Sequence, residues 1–376
     1  MQGTLVDDLG AVESHIAAWD DLATAARLPY CTPSWMLGWW KHARPDGARL
    51  RIALAVDGGE LAGIAPCYAL HEHGVEHIRL LASPISHRTQ PLAAAGRERA
   101  VAEALAPALA GAGPGIIAFD GVPDACPWPG LLADAWPGRR RPRRHVTEVM
   151  GAPVVTLAGS DFDGWFGDRS SNFRSQMRRA RRALEEQGAT VRLASTQAEI
   201  EQDIGAFIRL HHARWDPRGG SDALDDGVER MLHAIAPELV ASGRLRLASV
   251  ATPDQTVAVQ AIVAAGGEAS YWLGGFDDAW ARNKPALVAL LAALEDAFAR
   301  ADERFDLGGG TQNYKLRFAD AQEQLEWARL SPRGVRAPFD WARLAPSRAR
   351  HALAEATYEP RAALRRRLRR GGSGAA

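Results

Sequence analysis

Apolar and polar residues follow two periods along this chain, one near two and one near 3.6. Leu50 to Val56, Leu61 to Ala69 and Val75 to Ala82 read as strands, cut apart by Gly58-Gly59 and Gly74. Trp35, Trp39 and Trp40 precede them at helical spacing. After them come an apolar helix over Arg97 to Leu109, a strand over Gly115 to Asp120, a Pro/Trp-rich loop around Pro127 to Pro137, and a strand near Val146.

The second half repeats this order. Arg174 to Gln187 reads as a helix stopped by Gly188, and Thr190 to Ala194 as a strand. Gln197 to Trp215 and Leu224 to Ser242 are helical. Strands follow at Leu245 to Ala251, Val257 to Ala264 and Ala269 to Phe276. A helix over Pro285 to Ala301 carries Leu287, Leu290, Leu291, Leu294 and Phe298 on one stripe. Arg304 to Leu307 and Gln324 to Leu330 are the last strands. Arg49-Leu50-Arg51-Ile52-Ala53 opens the first strand series and Arg244-Leu245-Arg246-Leu247-Ala248 the second, an internal echo that points to duplication. The expectation is an α/β protein of two related domains, with a boundary between residues 143 and 171.

Composition adds limits. At 376 residues the length suits two domains, and 47% hydrophobic with 24% charged residues is globular. Cys31, Cys67 and Cys126 have no paired spacing, so neither a disulfide framework nor a zinc site is expected. The histidines His71, His73 and His77 suggest no metal either. Asp7, Asp8, Glu13 and Asp20 exclude a signal peptide at the start, and no run of apolar residues is long enough for a membrane span. A cytoplasmic protein is expected. The net charge is zero, which argues against DNA coating, yet basic residues cluster at Arg174 to Arg182 and Arg361 to Arg370. The second cluster could touch anionic lipid and so place the chain at a membrane surface, or end the chain as an unstructured tail.

Group transfer from a phosphate-bearing carrier needs a grip on those phosphates, donors for a developing oxyanion, and control of protons. The segment Tyr271 to Tyr314 offers all three. Gly274 and Gly275 end a strand where backbone could approach a ligand. Arg282, Asn283 and Lys284 precede a helix whose first residue is Pro285, a credible anion site or an ordinary capped helix. Asp306-Leu307-Gly308-Gly309-Gly310 ends the next strand, with Tyr314, Lys315 and Arg317 just beyond. Tyr314 could protonate a leaving thiolate and Lys315 could stabilise an anion, or the stretch could be a solvated basic turn.

These motifs form a set. Ser171-Asn172-Phe173-Arg174 leading into Met177 to Arg182, Tyr271-Trp272-Leu273-Gly274-Gly275-Phe276-Asp277, and Phe305-Asp306-Leu307-Gly308 with Tyr314-Lys315-Leu316-Arg317-Phe318 resemble the BioF2-like (CelD/BcsL) acetyltransferase domain. That domain is a GNAT-fold relative of the FemABX aminoacyltransferases. The match covers residues 164 to 318, and Pro33-Ser34-Trp35 through Trp39-Trp40 resembles the usual opening of such proteins. The resemblance implies tandem GNAT-like domains with mixed central sheets, and acetyl-CoA or another acyl-CoA as donor. It also implies a glycan, nucleotide-sugar or lipid-linked sugar precursor as acceptor. Where the usual pyrophosphate loop has Gln or Arg followed by Gly-x-Gly or Gly-x-Ala, this chain has Arg282-Asn283-Lys284-Pro285-Ala286. An aminoacyl-tRNA donor, or a non-catalytic glycan-binding module, therefore remain the rival readings.

The expected units are 1–155, 156–335 and a basic tail, 336–376. Tyr314, Lys315, Asp306 and His211 are the catalytic candidates. Gly274, Gly275, Arg282, Asn283 and Lys284 would hold the donor. Arg174, Arg178 and Arg182 share a helix face suited to a polyanion, or simply to solvent. With Arg214, Trp272 and Arg317 they make up the expected acceptor set. His211, His212 and Arg214 could equally just finish a helix C-terminus.

Overall fold

In the computed structural model, residues 1–331 are described apart from positions 73, 112, 114, 139, 140, 219 and 222. The proposed tail 336–376, with Arg361 to Arg370, lies outside the described residues. The first half runs β1 (Gln2–Val6), α1 (Ile16–Ala25), α2 (Pro33–Ala43), β2 (Arg49–Asp57), β3 (Glu60–Glu72), β4 (Val75–Leu80), β5 (Leu92–Ala93), α3 (Glu98–Gly111), β6 (Ile116–Pro123), α4 (Trp128–Asp134) and β7 (Arg143–Thr156). The second runs α5 (Phe162–Asp168), α6 (Ser171–Glu185), β8 (Thr190–Leu193), α7 (Gln197–Trp215), α8 (Asp226–Ala241), β9 (Leu245–Ala251), β10 (Thr256–Ala265), β11 (Glu268–Phe276), α9 (Pro285–Ala299), β12 (Arg304–Asp306), α10 (Asn313–Phe318) and β13 (Ala321–Ser331).

The strands form one mixed sheet in the order β1-β2-β3-β4-β6-β13-β7-β12-β11-β10-β9-β8, with β5 paired to β3 alone. Read inward from either edge the pattern is the same: four antiparallel strands, then a parallel pair (β4 with β6, β11 with β12), then an antiparallel neighbour. The echoed sequences fall on β2 and β9, each second from its edge. At the centre the two halves exchange a strand. β7, from the first half of the chain, pairs with β12, while β13, from the end, pairs with β6, and β7 and β13 pair with each other from Ala321↔Val154 to Ser331↔Arg143. We propose 1–155 and 156–335 as the two units, tied by this exchange.

Helix boundaries have local causes. Thr196 and Glu199 form a capping box at the start of α7, and Ser170 caps α6 by accepting from the Phe173 amide. Along α6, Phe173, Met177, Ala180 and Leu184 are buried at spacings of four, three and four residues, which turns the arginines outward. The largest apolar core joins both halves: Trp35, Trp39 and Met36 of α2 share it with Met231 and Leu232 of α8 and Trp272 of β11. A second gathers Trp165, Phe173, Leu290, Leu294, Phe305 and Phe318.

Several sequence expectations change in detail. The loop read around Pro127 to Pro137 contains the short helix α4, because Trp128 and Leu132, four apart, are both buried. β4 stops at Leu80, and the residues read as its end pass through Ala82, in left-handed conformation, into a 3-10 turn at Ser83–Ile85. The basic turn after the glycines is the helix α10.

Candidate functional site

β11 and β12 pair only from Glu268↔Arg304 to Ser270↔Asp306, and beyond that point the strands part. On one side of the opening β11 carries a bulge. Ala261 of β10 faces Leu273 while Ile262 faces Tyr271, so Trp272 is an extra residue, and the bulge re-aims its neighbours. Trp272 turns toward Phe207 of α7 and Trp35, and Tyr271 joins the core under α9. On the other side run Leu307 to Gly310, in which Gly308 takes a φ of +73°, a conformation that favours glycine.

Lys315 closes the inner end. The spacing of Lys315 and Phe318 turns both inward on α10, and Phe318 anchors the helix against Phe173 with ring centroids 5.0 Å apart. The Lys315 ammonium donates to the carbonyl oxygens of Gly309 at 2.7 Å and Gly308 at 3.4 Å, and lies 5.7 Å from the centroid of the Tyr271 ring. The residue is only 5% exposed. Burial pushes its pKa down to about 8, against the opposing pull of Asp306. Tyr314, half-buried, shares a hydrogen bond with Tyr271. Burial raises both phenols, and the nearby Arg214 charge draws both down.

Asp306 is buried beside this group. Arg88 Nε donates to its Oδ2 at 2.6 Å, the Gly308 amide to its Oδ1 at 2.9 Å, and the Ser270 hydroxyl reaches Oδ2 at 3.4 Å. Burial alone would raise its pKa, but the Arg88 charge and these donors hold it below the usual range. Glu268, at the head of β11, pairs with Arg304, yet burial outweighs the pairing and lifts its pKa to about 7.

At the far end of β11 the chain reaches α9. Lys284 has left-handed backbone, and burial together with the charges of Arg317 and Arg179 lowers its pKa. The Asn283 side-chain nitrogen is buried without a partner, and Arg282 is exposed. An ammonium, two guanidiniums and an unpaired amide at a helix N-terminus fit a diphosphate. Gly274 and Gly275 serve packing on their Cβ sides. A side-chain carbon at Gly274 would meet Gln260 Oε1 at 1.9 Å, and one at Gly275 would meet Leu210 Cβ at 2.8 Å and the His211 amide nitrogen at 2.9 Å.

Tyr314, Lys315 and Asp306 are thus brought together, with Arg317 bridging toward Lys284. His211 is not. It is buried with Phe207 and Trp215 on the α7 side of β11, its ring reaching the Gly274 backbone, and burial takes its pKa to about 4. Arg214 lies over the Phe276 ring at 4.8 Å. Of the basic α6 residues, Arg174 folds back to donate to the Arg169 carbonyl at 2.9 Å, Arg178 lies over Phe166 at 5.5 Å, and Arg182 is exposed. Arg317 lies over Phe173 at 5.0 Å and donates to Gln176 at 2.6 Å. It lines an open hollow of about 420 Å³ with Asp168, Arg169, Ser170, Ala319 and Asp320. Sequence reasoning missed Arg88 and its neighbour His87, which belong to the other half and carry no local motif. His87 Nε2 would lie 3.3 Å from a Cβ on Gly309.

Residues 171–316 match the family described as "Acetyltransferase (GNAT) domain". No curated protein matches the chain. Among solved structures it is similar to FemX, at 12% identity and a TM-score of 0.58 over 88% of this chain and 97% of that one. It is also similar to the C-terminal domain of a putative lysylphosphatidylglycerol synthetase from Agrobacterium fabrum, at 11% identity and 0.55 over 89% and 95%. A conserved protein of unknown function from Bacteroides thetaiotaomicron matches at 10% and 0.51 over 87% and 99%. At such identities the likeness concerns fold. Residues 171–316 thus carry an acetyltransferase (GNAT) domain, set in a mixed-sheet fold that the whole chain shares with FemX.

Proposed function

We propose that the chain moves an acyl group from an acyl-CoA thioester to an amine or hydroxyl of a glycan, nucleotide-sugar or lipid-linked sugar precursor. The observation that carries this reading is the Lys315 ammonium, buried at the inner end of the opening between β11 and Leu307–Gly310, with Tyr314 beside it. Asn283, Lys284, Arg179 and Arg317 would hold the donor's diphosphate at the start of α9. The acyl carbon would lie near the bulge at Trp272, where Lys315 offsets negative charge developing on the carbonyl oxygen. Tyr314, still protonated at neutral pH, would give its proton to the departing thiolate. The acceptor would attack directly, since no Ser or Cys stands in a nucleophile motif in this region.

An aminoacyl-tRNA donor is the second reading, favoured by the exposed Arg178, Arg179, Arg181 and Arg182 on one helix next to Lys284. Calorimetric titration with acetyl-CoA and with charged tRNA separates the two. Micromolar binding of acetyl-CoA, lost on replacing Lys284 and Arg317 by alanine, supports the first, and binding of charged tRNA alone overturns it.

A further inference from the structure

Arg88 belongs to the first half of the chain, between β4 and β5, yet it ends inside the site of the second half. Its backbone is left-handed, with a φ of 60°, uncommon for a residue with a side chain, and its amide is fixed to the Gly121 carbonyl at 2.8 Å. It is 6% exposed. Its Nε holds Asp306 at 2.6 Å, its Nη1 holds Glu323 of β13 at 2.8 Å, and its Nη2 has no partner. A buried, partly unpaired guanidinium on strained backbone is expensive to keep for stability alone. What it holds is a relay. Asp306 takes the Gly308 amide at 2.9 Å, and the carbonyls of Gly308 and Gly309 take the Lys315 ammonium.

We propose that Arg88 is a positioning residue for acyl transfer, acting from the first half of the chain through Asp306 and the Gly308–Gly309 turn to set the place and charge of Lys315. This rests on Lys315 being a site residue. The groups facing Lys315 are Asp306 from β12, the Tyr271 ring from β11, and His87 from the segment that also carries Arg88. Asp306 favours the protonated lysine, and Arg88 partly cancels Asp306. Removing Arg88 takes away the charge and the hydrogen bond that do most to offset the burial of Asp306, so the electrostatics facing Lys315 change and its midpoint moves from about 8.

The test uses the full chain and needs no acceptor. Competitive labelling with acetic anhydride from about pH 6 to about pH 10, read at the Lys315 peptide by mass spectrometry, gives the midpoint of that amine. R88M is expected to move the midpoint by about half a unit or more, and R88K to restore part of the change. With acetyl-CoA and a panel of amino sugars, release of free thiol should show kcat down about ten-fold or more in R88M, with KM for acetyl-CoA within about two-fold, as expected of misplacement rather than lost binding. The variant R88M/D306N removes both buried charges and guards against misfolding of R88M. Its loss should be no greater than that of the worse single variant, because the two act as one unit. E323Q, which weakens the other pair of Arg88 and that of Arg304 while leaving Asp306 in place, should stay near the wild type. A folded R88M with an unmoved midpoint and wild-type kcat, or multiplying losses in the double variant, overturns the proposal. If K315M remains fully active, the assignment of Lys315 fails instead, whatever R88M does.

Discussion

Trp35 of α2 meets Trp272, the bulged residue of β11, edge to face with ring centroids 5.1 Å apart, and so the two halves touch at the lip of the site. Each indole is pinned by its N–H, Trp35 to the Ser86 hydroxyl at 2.9 Å and Trp272 to the Ile85 carbonyl at 2.6 Å. Replacing Trp35 by Ala should cost about 3–5 kcal/mol, the usual range for a buried tryptophan. Urea melts followed by far-UV dichroism and by tryptophan fluorescence should shift together in one transition. Two separate transitions, with only the first destabilised, would contradict the shared core.

Tyr314→Phe keeps the ring against the second core and removes only the hydroxyl. Acetyl-CoA affinity should hold within about two-fold while turnover falls about 10²-fold, as for a lost general acid. Burst-phase measurement of thiol release decides between this and an unchanged chemical step.

Lys315 is held below its unfolded pKa, which gives stability a definite slope. Between about pH 8 and the ordinary lysine range the native state binds fewer protons than the unfolded chain, so stability rises with pH there, and the cost of burying the charge is fully present below 8. Lys315→Met should therefore raise Tm at pH 7 while abolishing activity, and its advantage should shrink above about pH 10. Thermal melts across that range check the sign. A variant less stable at pH 7 than at pH 10, relative to the wild type, would refute it.

Arg178 and Arg182 stand on the outer face of α6. If they hold an anionic acceptor or tRNA, R178A/R182A should weaken its binding and flatten the dependence of affinity on salt. Fluorescence anisotropy at several salt concentrations reads both. Equal slopes in variant and wild type would leave these arginines as solvated surface.

Much of the fold could be read from the chain because its elements are long and strictly periodic. β9 and α7 lie where the pattern put them, and β10, β11 and α9 shift by only one or two residues. The edge strand β1 and the helix α1 were missed: β1 is exposed over most of its five residues, and α1 buries only Trp19, Leu22 and Ala23. Tyr314, Lys315 and Asp306 could be named as candidates because glycines flank them at a strand end. Arg88 could not, since its partner is Asp306, 218 residues away, and nothing near position 88 signals a site. His211 shows the converse. Its sequence neighbours suggest chemistry, and only packing shows it enclosed by aromatic rings.

The exchange of β7 and β13 also governs the order in which the molecule can be made. During synthesis the first half emerges with β6 lacking its neighbour, and that place is filled only when Ala321–Ser331 leaves the ribosome. Until then an unpaired strand edge stands exposed, a surface prone to wrong pairing. Meanwhile β7 waits for β12, which appears some 150 residues later. Neither half can therefore close early, and a chain halted before residue 321 would leave both incomplete. Two independently closing domains of the same size would cover their strand edges earlier in synthesis than this exchanged pair can.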